Sequence, residues 1–462
     1  MITEEKYNKV VNYLKDIIKG TEWENKVFTV GGCVRDLILK APIKDIDLVI
    51  EKPEGGLKFA SWLSESGFLV SDPVFYPTYG TSMFKLRKFK DLPLEAVCTR
   101  KERYLDHDSR NPETAFGTIE EDCFRRDLTI NSLYHNISTG EILDLSGGLN
   151  DIERKVLRTT SDPRFIFEDD PLRMLRVIRF YGRLGKDWKI FPGIIEAIMD
   201  LSERLRILSM ERVQAEFSSM MIGPNPELCL RMMSATGVLD VLFPEIAAMT
   251  LCEQGPQHYG NVFEHTIGVI NKVEPELILR LSALLHDSGK PKCVIMKNGV
   301  PKFYGHESFS SEVAKKFLKR LKYSNEVIDE VVFLCENHMI FKQWGSKIDL
   351  KKLRKRQYEA GEERFIRLLK LVDADNKSHA TDYCMPDQIE NIKKSCDPFW
   401  YTYKLPISGN DIMEVKGIKP GPLVKRYIKY LLRYAFAHPK ESSREYLLEE
   451  LKHVKPNNLP KL

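Results

Sequence analysis

Two hydrophobic periods divide this chain. Up to about residue 140, short apolar runs interleave with amphipathic stretches. Tyr7–Ile18 spaces its apolar residues three and four apart, which puts them on one helix face. Val27–Val30, Asp45–Ile50, Ser82–Arg87 and Leu94–Thr99 are short and rich in β-branched or aromatic residues, as strands are, and Phe59–Ser66 falls between them. The mixture predicts an α+β head with a small, mostly antiparallel sheet. From residue 141 onward strand signals nearly vanish. Pro171–Leu184, Pro192–Leu201, Ser209–Met221 and Glu227–Leu239 all read as helices. Leu251–Gly260 has the composition of a junction, and a second helical block runs from His265 to about Asp375. Pro386–Pro406 is a looser connection, followed after Gly417–Pro422 by a basic helical tail. The expected division is a head over 1–140 and all-α regions over 141–255, 256–385 and 386–462.

Composition narrows the field less than local charge does. A length of 462 residues suffices for two to four domains and a large core. With 70 basic and 66 acidic residues the net charge is only +4, which does not announce nucleic-acid binding. Locally, Lys347–Arg356 holds six basic residues, and Arg173, Arg176 and Arg179 recur along one stripe. The basic run fits a solvated helix face or a phosphate-contacting one. Nine cysteines without CxxC spacing predict reduced thiols rather than a disulfide framework. The polar N-terminus and the lack of a membrane-length apolar run lead us to expect a cytoplasmic protein without membrane contact.

The chemistry concentrates near the N-terminus. In a strand, residues two apart share a face, so Asp45 and Asp47 set two carboxylates side by side. Such a pair repels itself unless a cation intervenes, and Mg²⁺ suits carboxylate plus phosphate oxygens. Upstream, Val27–Val30 runs into Gly31-Gly32 and then a helical pattern. This junction lets backbone N–H groups approach a phosphate, or is simply a turn. The string Gly31-Gly-Cys-Val-Arg35-Asp-Leu-Ile-Leu, followed by Asp45-Ile-Asp47, resembles the opening motif of the class II branch of the polymerase β nucleotidyltransferase superfamily. That branch holds CCA-adding tRNA nucleotidyltransferases and bacterial poly(A) polymerases. The resemblance implies a nucleotidyltransferase head followed by helical neck, body and tail regions. It also implies two Mg²⁺ ions at Asp45 and Asp47, with Gly32 and Arg35 orienting phosphates. Glu95 is either a third metal carboxylate or an exposed strand residue.

Later segments fall in the same family order. Arg125-Arg126-Asp127-Leu-Thr-Ile-Asn131-Ser-Leu resembles the second motif, with Ser132 in place of alanine. It implies triphosphate contact by Arg126 and ribose contact by Asp127; the residues alone also suit an ion pair tying a helix to the sheet. Asp144–Asp151 resembles a hinge motif. Asp170-Pro-Leu-Arg173 resembles the nucleotide-selecting motif, with Asp169 where glutamate is usual. A carboxylate only accepts hydrogen bonds and a guanidinium only donates them. Cytosine and adenine each present an amino donor beside a ring-nitrogen acceptor, whereas uracil and guanine present the reverse. Asp170 with Arg173 therefore suits C and A, unless the two form only a helix-capping salt bridge. Arg176 and Arg179 would contact phosphate. Thr99–Pro112 resembles the flexible loop of members that add the terminal A.

His265, His286-Asp287, His306, His338 and Asp373 form a second ordered set. Histidine and carboxylate together suit a divalent transition metal or Mg²⁺. The order resembles the HD phosphohydrolase superfamily and implies an HD domain over 256–385. Gly417–Val424 reads either as a phosphate-holding helix start or as a plain loop. The expected enzyme adds CMP and AMP from CTP and ATP to the tRNA 3′ end. The alternatives are a poly(A) polymerase, a CC-only or A-only enzyme, or an HD phosphohydrolase with an inactive head.

Overall fold

A computed structural model of the chain describes residues 1–103, 113–255, 260–341, 348–380 and 386–460. Two compact units emerge, Met1–Ala247 and Ala248–Leu462.

The first unit is organised by a seven-stranded sheet. Its strands are β1 (Val27–Val30), β2 (Ile46–Ile50), β3 (Val74–Tyr76), β4 (Thr81–Lys85), β5 (Pro93–Cys98), β6 (Leu133–Asn136) and β7 (Ile142–Asp144). They lie in the order β3-β4-β5-β2-β1-β6-β7. Only β2 and β5 pair in parallel; the other neighbours are antiparallel, as the sequence predicted. The apolar run Leu48–Ile50 and the buried strand Val27–Val30 occupy the middle of the sheet because both of its faces are covered there. The N-terminal helix Glu4–Ile18 buries Tyr7, Val10, Val11, Leu14 and Ile18 along one stripe, and Thr3 caps it by accepting from the Lys6 amide. The Tyr7 hydroxyl reaches Thr29 of β1 at 2.5 Å and His135 Nδ1 of β6 at 2.8 Å, which fixes that helix to the sheet centre.

Register decides where the chemistry falls. Asp47 lies opposite Val30 of β1 on one side and Glu95 of β5 on the other. The strand starts at Ile46, so Asp45 stands just outside it. β1 ends at Gly31, whose φ of 78° is a left-handed conformation that turns the chain abruptly into the helix Gly32–Ile38.

After β7 the first unit is helical, apart from a two-residue parallel pair at Val156–Leu157 and Lys189–Ile190. The helix Leu172–Leu184 begins one residue after Pro171, as its sequence suggests. The single helix expected over Glu227–Leu239 is instead Pro226–Ala235 followed by Val238–Leu242, because Thr236-Gly237 interrupts it. In the second unit, helices Val262–Lys272, Leu277–Leu285, His306–Arg320, Asn325–Asn337 and Glu362–Asn376 surround the histidine-rich sequence positions. One hairpin, Ile295–Lys297 with Val300–Lys302, was not expected inside that block. Its Asn298-Gly299 turn has φ of 53° and 74°, the conformation that Asn-Gly favours in two-residue hairpins, so the signal was present in the sequence. The tail packs a core of its own around Trp400, Tyr427, Leu431, Phe436 and Leu451.

Within the basic run, Asp349 caps the helix Leu350–Ala360, which buries Leu353 and Gln357 and leaves Lys351 and Lys352 exposed. Lys355 and Arg356 pair with Glu359; Lys347 lies outside the described residues, as do 104–112 of the expected flexible loop. The eight described cysteines are all free. Among the described residues no helix is long and apolar enough to cross a membrane.

Candidate active site and a second metal-ligand cluster

Three carboxylates gather at the neighbouring central strands β2 and β5 of the head sheet. Asp47 projects from β2 beside Glu95, and Asp45 is exposed just upstream with Lys44 at 3.8 Å. Burial pushes Asp47 up to about 6, and the charges of Asp45 and Glu95 add to that push; Arg126 and Lys44 oppose it. Glu95 is raised too, by burial and then by Asp45. Like-charged groups that raise one another in this way are relieved by a cation between them, and hard oxygen donors of this kind fit a divalent ion.

A cavity of about 310 Å³ opens beside these groups. Gly32, Arg35, Asp45, Asp47, Arg126, Asp127, Arg176 and Arg179, all named from the sequence, line it. A second cavity of about 430 Å³ shares Asp47 and Arg126 and adds Glu95, Arg100 and Arg125. Asp47 and Arg126 thus stand on the boundary between two spaces.

The arginines are held by acids that sequence reasoning passed over. Arg126 donates from Nε to Asp122 at 3.0 Å and to the Tyr134 hydroxyl at 3.0 Å, with its guanidinium 5.4 Å above the Tyr134 ring. Despite burial, Arg125 and Arg126 hold the Asp122 carboxyl well below the usual carboxylate range. Arg35 is buried, donating to Asp36 at 2.9 and 2.8 Å and to Asn131. Asp36 also receives Arg183 at 2.7 Å. Asp127 receives Arg176 at 2.7 Å and Asn131 at 3.2 Å; burial raises its carboxyl, but Arg176 and these hydrogen bonds win and hold it at about 2. Glu216 receives Arg179 at 2.5 Å. Phe180 fills the space between guanidiniums, with Arg35, Arg176 and Arg179 at 5.1, 5.8 and 4.5 Å from its ring centroid. Asp36, Asp122 and Asn131 sit inside or beside the motifs; Glu216 carried no signal at all.

Asp170 and Arg173 do not line the cavity described above. Asp170 receives Arg212 at 2.8 Å and the Leu172 amide at 3.1 Å, while buried Arg173 donates to the Ile166 carbonyl at 3.2 Å. Their charges still reach the site: Asp170 bears on Arg176 and Arg173 on Asp127.

The second unit gathers its own ligand-type residues. His265, His286 and Asp375 form one group, and Asp287, His306 and His338 another, all buried. Asp287 links them: its carboxylate lies 3.2 Å from His286 Nε2, 3.5 Å from His265 Nε2, 3.2 Å from His306 Nε2 and 3.7 Å from His338 Nε2. His286, His306 and His338 each direct Nδ1 to a backbone carbonyl, of Ala283, Phe303 and Cys335, at 2.7–2.9 Å. A carbonyl only accepts, so Nδ1 carries the proton in the neutral ring and Nε2 presents its lone pair inward. That arrangement prepares imidazoles for a metal. The buried His286 Nε2 has no hydrogen-bond partner.

One residue of the predicted set is corrected. Asp373 points away and pairs with Lys377 at 2.7 Å, whereas Asp375 lies 3.0 Å from His265 Nε2. Two residues on a helix are about 200° apart. Leu368, Val372 and Asp375 follow the apolar stripe and are buried, and that spacing would have singled out Asp375.

Comparison with known proteins agrees with both units. A family profile described as the Poly A polymerase head domain matches residues 27–158. One described as the Probable RNA and SrmB- binding site of polymerase A matches 188–250, and one for tRNA nucleotidyltransferase domain 2 matches 303–451. The Multifunctional CCA protein of Haemophilus influenzae (strain PittGG) is 32% identical over 340 residues, 68% of this chain and 74% of that protein. That of Pasteurella multocida (strain Pm70) is 30% identical over 339 residues, with the same coverage. In fold, the chain resembles the Bacillus stearothermophilus CCA-adding enzyme solved in complex with CTP, at a TM-score of 0.69, 20% identity and coverage of 98% and 97%. The Thermotoga maritima CCA-adding enzyme complexed with tRNA_CCA gives 0.59 at 20% identity, covering 96% and 93%. A nucleotidyltransferase head with an arginine-lined cleft, joined in sequence to regions that match these relatives, leaves one assignment: the chain belongs to the family of multifunctional CCA proteins, which are tRNA nucleotidyltransferases.

Proposed function

We propose that this enzyme adds CMP and AMP, taken from CTP and ATP, to the 3′ end of tRNA without a nucleic-acid template. The observation that carries this reading is the Asp45–Asp47–Glu95 set at the boundary of two cavities, one of them walled by arginines. Nucleotidyl transfer needs its carboxylates between a triphosphate and an acceptor hydroxyl, a role that suits Asp47, which lines both cavities. Two Mg²⁺ ions at Asp45 and Asp47, when bound, lower the pKa of the attacking 3′-OH and neutralise charge on the triphosphate. The chain's own residues do the placing. Arg126, Arg176 and Arg179 offer fixed charges to phosphate oxygens, and Asp122 and Glu216 stop them from drifting. Asp127 accepts from the ribose, and Asn131 holds its second contact. Asp170 with Arg173 reads the base edge once Asp170 is released from Arg212. In this reading residues 1–140 are the catalytic head, 141–255 neck and body, 256–385 the HD domain and 386–462 the tail, in a cytoplasmic enzyme.

The test offers purified protein tRNAs ending before CCA, after the first C, or after CC, with CTP, ATP or both. Addition that halts at CCA supports the proposal; a stop at CC, a single A, or long A tails moves the protein to a neighbouring activity. Arg173→Ala should cut discrimination against UTP and GTP by about tenfold or more, the loss of one buried donor–acceptor match of roughly 1–3 kcal/mol. Discrimination equal to that of the unaltered enzyme would mean that the base is read elsewhere.

The histidine cluster supports a second activity, hydrolysis of phosphomonoesters or 2′,3′-cyclic phosphates. The inward Nε2 set with Asp287 and Asp375 suits a divalent transition metal, which would supply Lewis acidity for attack of water on phosphorus. His286→Ala should abolish metal-dependent phosphatase activity and leave nucleotide addition within about twofold. Loss of both activities would show that the two units do not act separately.

A further inference from the structure

The row of side chains that carries Asp47 continues past the carboxylates to the edge of the sheet. Residues directly opposite on neighbouring strands share a face. Asp47 lies opposite Glu95, Glu95 opposite Met83 of β4, and Met83 opposite Val74 of β3. Tyr76 and Lys85 each follow a member of this row by two residues, so they belong to the same face. The other face is covered. Ser82 donates to the Gly56 carbonyl at 2.7 Å, and a Cβ at Gly56 would fall 2.5 Å from the Ala96 carbonyl, so the helix Gly55–Glu65 lies against Ser82 and Ala96.

On the carboxylate face the outer residues are open. Val74, Tyr76 and Met83 are exposed at 54%, 43% and 38%. Lys85 is exposed as well, and among the described residues no acid pairs with it. β3 is an edge strand, Val74-Phe75-Tyr76, without a charged residue. Proteins ordinarily blunt or cover such edges, so this one is a place for a partner.

Continuity with the second cavity decides which partner. In the reading above the incoming triphosphate takes the arginine-walled first cavity, so the acceptor strand leaves through the second. That cavity holds Arg100 and Arg125 beside Glu95, and its wall on the β4 side is Thr81, the residue opposite Tyr76. β3 lies two strands from β5, a distance of about 10 Å. An aromatic ring, a soft thioether and an unpaired lysine at that distance suit single-stranded RNA, whose bases stack on apolar faces and whose phosphates seek cations. A protein strand added to β3 would pair with its backbone and draw nothing from the alignment with Glu95.

We propose that the β3–β4 edge is a platform for the acceptor RNA, on which the bases just upstream of the 3′ terminus stack against Tyr76 and Met83 while a backbone phosphate meets Lys85. The head thereby grips the single-stranded end itself and delivers the terminal ribose to Glu95 and Asp47. The placement of that ribose rests on the nucleotide-transfer reading above; the RNA contact does not.

The probe is a tRNA ending in CC with 4-thiouridine in place of the nucleotide before the last, offered to the full chain in EDTA. Ultraviolet cross-links should map to peptides within residues 74–85, and the Tyr76→Ala/Met83→Ala double variant should lose them. With Mg²⁺ and ATP, that variant should raise the KM for unmodified tRNA about tenfold, the effect expected of lost stacking. Its KM for ATP should move less than twofold, and Tyr76→Phe, which keeps the ring, should retain the parent's KM for tRNA. Cross-links that map only outside 74–85, or a double variant with the parent's KM for tRNA, overturn the platform and leave the edge strand to a protein partner. If the unaltered chain cross-links at 74–85 but extends no tRNA, the transfer reading fails while the RNA contact stands.

Discussion

Asp47→Asn should raise the melting temperature of the metal-free protein while removing nucleotide addition. Burial and the charges of Asp45 and Glu95 push Asp47 up to about 6. An aspartate in the unfolded chain titrates near 4. Between these values the folded state binds more protons than the unfolded one, so stability from this group falls as pH rises from about 4 to about 6. Above that window the deficit is complete and amounts to about 2–3 kcal/mol. Removing the charge removes the deficit, which for a unit of this size is worth roughly 5 °C. Mg²⁺ should produce a similar gain in the unaltered protein and little in the variant. Activity should move the other way, by about three orders of magnitude or more, because the lost oxygen is one proposed to hold the ions. Asp45→Ala should abolish addition as well, with the fold intact. Thermal melts at pH 5 and pH 7, with and without Mg²⁺, alongside single-nucleotide extension, check these statements. A variant that melts lower than its parent, or that extends tRNA at the normal rate, would refute the assignment of these carboxylates.

Asp122→Ala should be among the most destabilising single changes in the first unit. Asp122 is fully buried, accepts from Arg125 at 2.5 Å and from Tyr134 at 2.7 Å, and pairs with Arg126 at 2.9 Å. Truncation would leave the half-buried Arg126 guanidinium without its nearest counter-charge and the buried Tyr134 hydroxyl without its acceptor, a loss of about 2–4 kcal/mol. Asp122→Asn, which keeps one acceptor oxygen, should lose less. Because the folded-state carboxyl titrates well below the usual range, its stabilisation is present above about pH 4 and disappears as pH falls through the folded-state value. The gap in urea midpoint between parent and variant should therefore be widest near neutrality and narrow in acid. Nucleotide binding should weaken even where the variant stays folded, since Arg126 lines both cavities. Equal urea midpoints for the parent and Asp122→Ala would mean that water or another acid replaces the lost partner.

Hydrophobic period and motif order carried most of the architecture. The mostly antiparallel sheet and the helical remainder follow from local patterns, whereas the strands β3, β6 and β7 and the one parallel pair do not. A strand's two-residue repeat and a glycine-marked turn are written in neighbouring residues, so they can be read without the fold. The hairpin at Asn298-Gly299 was equally legible and was overlooked inside a helical block.

What chain position alone could not disclose is which charges meet. Arg35, implied by the resemblance to orient phosphate, lines the cavity with donors engaged by Asp36 and Asn131. Asp170 and Arg173 are expected to face a base together, and the sequence offers no hint that Arg212, 42 residues away, holds Asp170 in this structure. Glu216 reaches Arg179 across 37 residues, and Asp375 reaches His265 across 110. By itself, then, the sequence determined the elements and the inventory of reactive groups, because hydrophobic period and turn chemistry act between near neighbours. The tertiary structure decided the pairing of those groups, because a buried charge takes whichever partner packing brings within about 3 Å, however distant along the chain.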